Sequence, residues 1–279
     1  MTLLRRVLLV TALVVILAYG GAIVWLIARE TTLVFRAGEP LGDRRPASPF
    51  RQVEIHSAER PRQPAWVIPA ASEAAARPWV LFLHGQGSNL ASRLNILHYD
   101  QLSRLGLNVL APEYRGFGGV EGVPSEAGLA EDARAAYDYL RGDLHVDPRR
   151  IVIYGWSLGS AVAVTLSSQA DEGAVILEGA PASVLAIGQQ RYPYFPIRLL
   201  IRNPFDSIAR IDRIGSPVLF IHSPEDTTIP IGEGRRLFAA AREPKQFVEV
   251  AGGHVYASER DPRFFLAVRR FLQAQRLLP

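Results

Sequence analysis

The chain has 279 residues, 48% hydrophobic and 21% charged, a globular composition that excludes a disordered or repeat-built protein. Its net charge of +4 comes from arginines scattered along the chain, with Lys245 the only lysine, and no basic stretch interleaves with aromatics; no nucleic-acid partner is expected. There is no cysteine, which excludes a disulfide framework, a thiolate nucleophile and a cysteine-ligated metal.

Residues 7–28, VLLVTALVVILAYGGAIVWLIA, carry no charge. As a helix they span roughly 33 Å at 1.5 Å per residue, enough for a hydrocarbon core of about 30 Å. Arg5 and Arg6 precede the run, Arg29 and Glu30 follow it, and Trp25 lies near one end, where aromatics favour the membrane interface. A cleaved signal peptide is the rival, with Ala18 and Gly20 as small residues before a cut. The apolar run continues through Ile23, Val24, Leu26 and Ile27, which suits a single-pass anchor better. Arg5 and Arg6 favour a cytoplasmic tail and an exported catalytic domain, while Arg29, Arg36, Arg44 and Arg45 pull the other way. The expected organisation is an anchor over residues 1–30, a Gly- and Pro-rich linker over 31–50 and one domain over 51–279.

After the linker, short apolar runs alternate with amphipathic stretches. Residues 50–56 and 65–69 read as early antiparallel strands. Residues 79–84, 107–113, 150–155, 174–179, 217–222 and 246–250 read as strands buried on both faces. Helical patterns fall at 92–105, 126–141, 158–170, 233–242 and 261–275. In the last, Asp261 suits a cap and Pro262 the first turn. The alternation predicts an α/β fold, a mainly parallel central sheet with helices on both faces, preceded by one transmembrane helix.

Gly155-Trp156-Ser157-Leu158-Gly159 fits G-x-S-x-G between a predicted strand and a predicted helix, the context this motif needs. A serine hydroxyl is a poor nucleophile until a base orients and deprotonates it, and a sharp turn there lifts it clear of the sheet. Base and acid follow the serine in the order acid, then histidine. The strand ending at His222 runs into Ser223-Pro224-Glu225-Asp226, and the strand ending at Val250 into Ala251-Gly252-Gly253-His254. These strand ends are where open α/β sheets place their sites. Asp226 opens D-x-x-I-P and is preferred to Glu225 as the acid. His254 is the histidine after that acid, in a Gly-Gly loop. His84 and His222 read as structural, and His56, His98 and His145 have no motif around them. Backbone amides of Leu158 and Gln86, the latter in His84-Gly85-Gln86-Gly87, are the expected oxyanion donors.

With these motifs the sequence resembles the membrane-anchored α/β-hydrolases of the abhydrolase-domain family, whose eukaryotic relatives include protein depalmitoylases. The resemblance rests on FLHGQGSN (82–89), PEYRGFGGVEG (112–122), YGWSLGSAVA (154–163), HSPEDTTIP (222–230) and GGH (252–254) and covers residues 31 to 279. It implies the α/β-hydrolase fold, a triad of Ser157, Asp226 and His254, and an oxyanion hole from Gln86 and Leu158. Val255 departs from the asparagine that often follows the histidine in relatives. Arg115, in a family loop, reads as structural.

A short segment between the strands at 174–179 and 217–222 occupies the usual lid position. Tyr192, Tyr194 and Phe195 there are the candidate substrate-binding residues, lining an acyl pocket or packing as a helix on the sheet. The expected activity is a serine esterase or thioesterase acting on acyl substrates at a membrane, without metal or organic cofactor. A peptidase or amidase of the same fold, or a catalytically silent scaffold, are the alternatives.

Overall fold

The computed structural model describes residues 3–57, 62–71 and 77–279. Among the described residues, eight strands form one sheet in the order β1-β2-β4-β3-β5-β6-β7-β8. They are β1 (Arg51–Ile55), β2 (Gln63–Ile68), β3 (Trp79–Leu83), β4 (Asn108–Pro112), β5 (Ile151–Trp156), β6 (Ala174–Glu178), β7 (Val218–His222) and β8 (Lys245–Glu249). The β1–β2 and β2–β4 pairs are antiparallel and the rest are parallel. The eight expected strands are all present, with ends shifted by a residue or two.

Crossover helices cover both faces, because parallel strands need long connections that pack back on the sheet. Ile151 and Ile153 of β5 point to one layer, with α3 (Glu126–Gly142), α4 (Leu158–Ser167) and α7 (Ile231–Ala240). Val152 and Tyr154 point to the other, with α2 (Arg93–Arg104), α8 (Gly253–Arg260) and α9 (Arg263–Ala274). Ser125 caps α3, accepting from the Gly128 N–H at 3.0 Å. Asp261 accepts from the Arg263 N–H at 2.9 Å at the start of α9, as its position before Pro262 suggests.

The sequence reading missed α8. Eight residues behind two glycines carry too little periodicity to be told from a loop. The lid position holds α5 (Val184–Arg191) and α6 (Ile197–Leu200). The N-terminal helix α1 runs from Leu3–Phe35, beyond the residue 30 boundary expected for it, and is long and apolar enough to cross a membrane. Its last turns are buried in the domain: Phe35 joins the core and meets the Phe205 ring edge-on at 5.9 Å. Residues 36–50 follow the domain surface, where Asp100 accepts from the N–H groups of Ala47 and Ser48 at 3.1 and 2.8 Å.

Glu172, in the turn between α4 and β6, has a carboxyl pushed up to about 7. Burial raises it most, Asp171 adds to the rise, and a hydrogen bond from Ser216 opposes it. Because the folded pKa lies above the ordinary 4.5, the protonated group favours folding below pH 4.5, and that contribution is lost as pH rises through 7. Glu172→Gln is therefore expected to gain on the wild type between pH 5 and pH 8, by up to about 3 kcal/mol at 1.36 kcal/mol per pKa unit. Thermal unfolding at the two pH values measures this, and an unchanged difference would refute it.

Candidate active site

Ser157 sits between β5 and α4 at φ +56°, ψ −119°, a region that costs a non-glycine residue of order 1–3 kcal/mol. Neighbouring contacts hold it there. The Ser157 N–H donates to the Glu178 carbonyl at 2.8 Å. The Ser160 hydroxyl donates to the carbonyls of Gly155 and Glu178 at 2.7 and 2.9 Å. The flanking glycines are steric requirements. A Cβ on Gly155 would lie 2.4 Å from the Gly159 carbonyl oxygen, and one on Gly159 would lie 2.0 Å from that of Leu83.

The carboxyl ends of three parallel strands bring the expected triad residues together. The Ser157 hydroxyl lies 2.8 Å from His254 Nε2, and His254 Nδ1 lies 2.6 Å from Asp226 Oδ2. In the tautomer this chain of contacts favours, Nδ1–H donates to Asp226 and Nε2 accepts from the serine. His254 is in the first turn of α8, not in an open loop. Gly252 and Gly253, at φ +110° and +69°, turn the chain into that helix. Glu225 is exposed and accepts from the Gly252 N–H at 3.1 Å.

Asp226 is nearly inaccessible. Burial works to raise its carboxyl, but hydrogen bonds from His222 and His254, the His254 charge and the Ile229 amide outweigh it. The result lies below the ordinary carboxylate range, so Asp226 is ionised across neutral and mildly acidic pH. Its Oδ1 accepts from the N–H groups of Thr228 and Ile229, both at 2.8 Å. His222, read as structural, packs beside it and bonds the Ile229 carbonyl through Nε2 at 2.9 Å.

The loop after β3 passes against the serine: a Cβ on Gly85 would be 3.1 Å from the Ser157 Cβ. Gln86 and Leu158 both border the space in front of Ser157. His84 anchors the loop from beneath, with Nε2 2.9 Å from Glu113 Oε1, while Glu113 Oε2 accepts from the Leu90 N–H at 2.9 Å. Arg115 is engaged with Asp132 through two nitrogens and with Glu131, away from the serine.

Two cavities meet at Ser157. One, of about 170 Å³, is mostly apolar and runs between α5, α6 and α1. The other, of about 600 Å³, is open and more polar, bordered by Arg36, Glu39, Ser88, His254 and Tyr256. Of the three candidate substrate-binding residues, Tyr192 lines the apolar cavity. The Tyr194 side chain is 85% exposed and only its carbonyl meets α1, accepting from the Tyr19 hydroxyl, while Phe195 stacks on Tyr19 at 5.1 Å. In their place Val184, Ile187 and Ile197 line the cavity, with Leu26 and Val34 from α1.

A buried polar group that sequence reasoning passed over supports the turn. His98 of α2 is enclosed by Phe82, Tyr154, Trp156 and Phe264. Its Nδ1 lies 2.7 Å from the Leu94 carbonyl and its Nε2 2.9 Å from Glu178 Oε2. Both partners are acceptors, so the imidazolium serves both. Burial opposes that charge, but Glu178 outweighs it and holds the His98 pKa above its ordinary value. The Tyr154 hydroxyl donates to the same Glu178 oxygen at 2.7 Å. No local pattern marks His98, because its partner is 80 residues away.

The family model for the alpha/beta hydrolase family matches residues 80–210. The chain is 38% identical to Mycobacterium tuberculosis Rv2307c over 271 residues, covering 96% of this chain and 95% of that protein. It is 32% identical to the alpha/beta hydrolase domain-containing protein WAV2 of Arabidopsis thaliana, covering 84% and 85% of the two chains. Its fold matches Pyrococcus furiosus esterase Pf2001 with a TM-score of 0.72 at 18% identity, over 86% of this chain and 97% of that one. With the fold and the strand-end site in place, these similarities establish that the chain belongs to the α/β-hydrolase family.

Glu178→Gln leaves the buried His98 without its counter-charge and is expected to destabilise the fold by roughly 3–5 kcal/mol, the usual cost of breaking a buried pair. Denaturant unfolding reads this directly; a loss under about 1 kcal/mol would mean that the pair does little for the fold.

Proposed function

We propose that this protein is a membrane-anchored serine hydrolase that cleaves carboxylic ester or thioester bonds of acyl substrates. The observation that carries the proposal is the run of hydrogen-bonding contacts from Ser157 through His254 to Asp226, at the mouth of an apolar cavity. In the proposed reaction His254 Nε2 takes the proton of Ser157 as the oxygen attacks the substrate carbonyl carbon. The N–H groups of Gln86 and Leu158 receive the resulting oxyanion. His254 then protonates the leaving alcohol or thiol, and the acyl group stays on Ser157. Water, deprotonated by His254, releases the acid and restores the serine. Asp226, held ionised, keeps the imidazole oriented and balances the charge it gains.

The two cavities support an acyl reading over a peptidase one. The apolar cavity suits the acyl side of the bond and the open polar one the leaving group.

The anchor is assigned to α1. Residues 7–17 of this helix are exposed and, apart from Thr11, apolar, a surface that water disfavours and a bilayer accepts. Its other end is built into the domain through Glu30 and Phe35, which favours a retained helix over a cleaved signal. Arg5, Arg6 and the amino terminus favour a cytoplasmic tail and an exported catalytic domain, against the pull of Arg29, Arg36, Arg44 and Arg45 on the other side.

A fluorophosphonate probe is expected to label the folded protein at Ser157, and Ser157→Ala and His254→Ala abolish labelling. Asp226→Asn should lower kcat on p-nitrophenyl esters by about 10⁴-fold, the loss seen when the orienting acid of such a triad is neutralised. Absence of labelling in folded protein would leave the silent scaffold as the better reading. An alkaline carbonate wash should leave the full chain in the membrane pellet; release to the supernatant would remove the anchor from the proposal.

A further inference from the structure

Helix α1 changes character along its length. Residues 3–17 are all exposed. From Tyr19 onward the helix lies against the domain. The Tyr19 hydroxyl donates to the Tyr194 carbonyl at 2.9 Å, and its ring stacks on Phe195. Leu26 and Glu30 are buried one turn apart. Glu30 Oε1 accepts from the N–H groups of Arg202 and Asn203 at 3.1 and 3.0 Å, and both of its oxygens accept from the Asn203 side chain. The Phe35 carbonyl accepts from the Gly87 N–H at 2.9 Å, one residue beyond Gln86. A buried carboxylate with this many donors latches the helix to the domain.

The docked face forms one wall of the cavity at Ser157. Leu26, Glu30, Leu33 and Val34 recur at helical spacing, and all four line it opposite α5 and α6. The cavity therefore has the candidate nucleophile at one end and the apolar helix along its side. Its size bears on what it takes. A cavity of about 150 Å³ holds a benzene-sized ligand, so about 170 Å³ has room for the carbonyl-proximal carbons of a long acyl chain and leaves the remainder to lie elsewhere.

Depth in the bilayer supplies that place. A hydrocarbon core takes about 20 helical residues, so a span beginning after Arg6 ends near Leu26. Tyr19 is seven residues before Leu26, about 10 Å further into the core at 1.5 Å per residue. Its partners Tyr194 and Phe195 share that depth. On the same segment, Tyr194 and Leu199 are 85% and 83% exposed with Arg198 exposed beside Leu199, an apolar surface edged by a cation, as suits the lipid boundary.

Resting on the hydrolase reading for the chemistry at Ser157, we propose that the acyl chain reaches the serine laterally from the bilayer, through the seam between α1 and the α5–α6 segment. The anchor is then also a wall of the acyl site. The substrate is an ester or thioester whose chain stays in the membrane, and its leaving group projects into the polar cavity by Arg36 and Glu39.

The test uses the full chain in phosphatidylcholine vesicles. Turnover is measured on p-nitrophenyl palmitate in the bilayer and p-nitrophenyl butyrate in water. Leu26→Trp, which fills the cavity from α1, is expected to lower the palmitate-to-butyrate ratio at least tenfold. Leu17→Trp, on the exposed part of the same helix, leaves the ratio unchanged. Independently of turnover, phosphatidylcholine with a mid-chain diazirine should crosslink on irradiation to Leu26, Val34 and Ile197, in the wild type and in Ser157→Ala. Crosslinks confined to residues 3–17, or an equal effect of the two tryptophans, would overturn lateral entry. Fluorophosphonate labelling of the same samples separates the two readings. Labelled serine without cavity crosslinks ends lateral entry alone, whereas cavity crosslinks without labelled serine end the hydrolase reading and leave the seam as a lipid-binding site.

Discussion

The turn at Ser157 is a backbone held where a residue with a side chain does not rest by choice. Its left-handed φ persists because the strand before it and the helix after it are each packed in place. The Glu178 carbonyl takes both the Ser157 amide and the Ser160 hydroxyl, so β6 fixes the turn from the side. The closeness of Gly159 to β3 fixes it from the other. The hydroxyl is thereby presented at the sheet edge without freedom to turn away, and every partner in the proposed chemistry takes its position from it.

Two buried histidine–carboxylate pairs support this edge from below. His84 and Glu113 lie under the loop after β3, and His98 and Glu178 lie behind the serine. Each joins elements distant in sequence, and each ends on a backbone group beside the site. Buried pairs of this kind add little net stability, because desolvation cancels much of their attraction. Their geometry, in contrast, is exacting, since a displaced partner leaves a buried polar group unsatisfied. They suit a site that needs loops from several strands held in fixed relation.

Helix α1 ties the site to the membrane reading. An anchor joined by a loose tether would leave the domain indifferent to its depth. Here Glu30 is taken up by Arg202 and Asn203, and Phe35 bonds next to Gln86. The helix therefore enters the domain beside the candidate oxyanion loop, and under the proposed topology it sets both the height and the orientation of the serine above the lipid.

The strands, the G-x-S-x-G turn and the order of serine, acid and histidine were legible in the sequence, because they are local patterns: continuous apolar runs, two glycines around a serine, an acid or histidine just past a strand. Length and apolar composition alone marked α1 as a possible span. Whether Asp226 or Glu225 faces His254 was decided by tertiary structure, since both follow the same strand and only the loop's folding turns one inward. The same holds for α8, whose short run shows no period, and for His98, whose meaning lies in a glutamate on another strand. Phe195 left the cavity for α1 because a helix read as a detached anchor proved to be a packing partner. Local residue order sets elements and turns; which distant side chains share a cavity is set by how those elements stack, and no short stretch of chain encodes that.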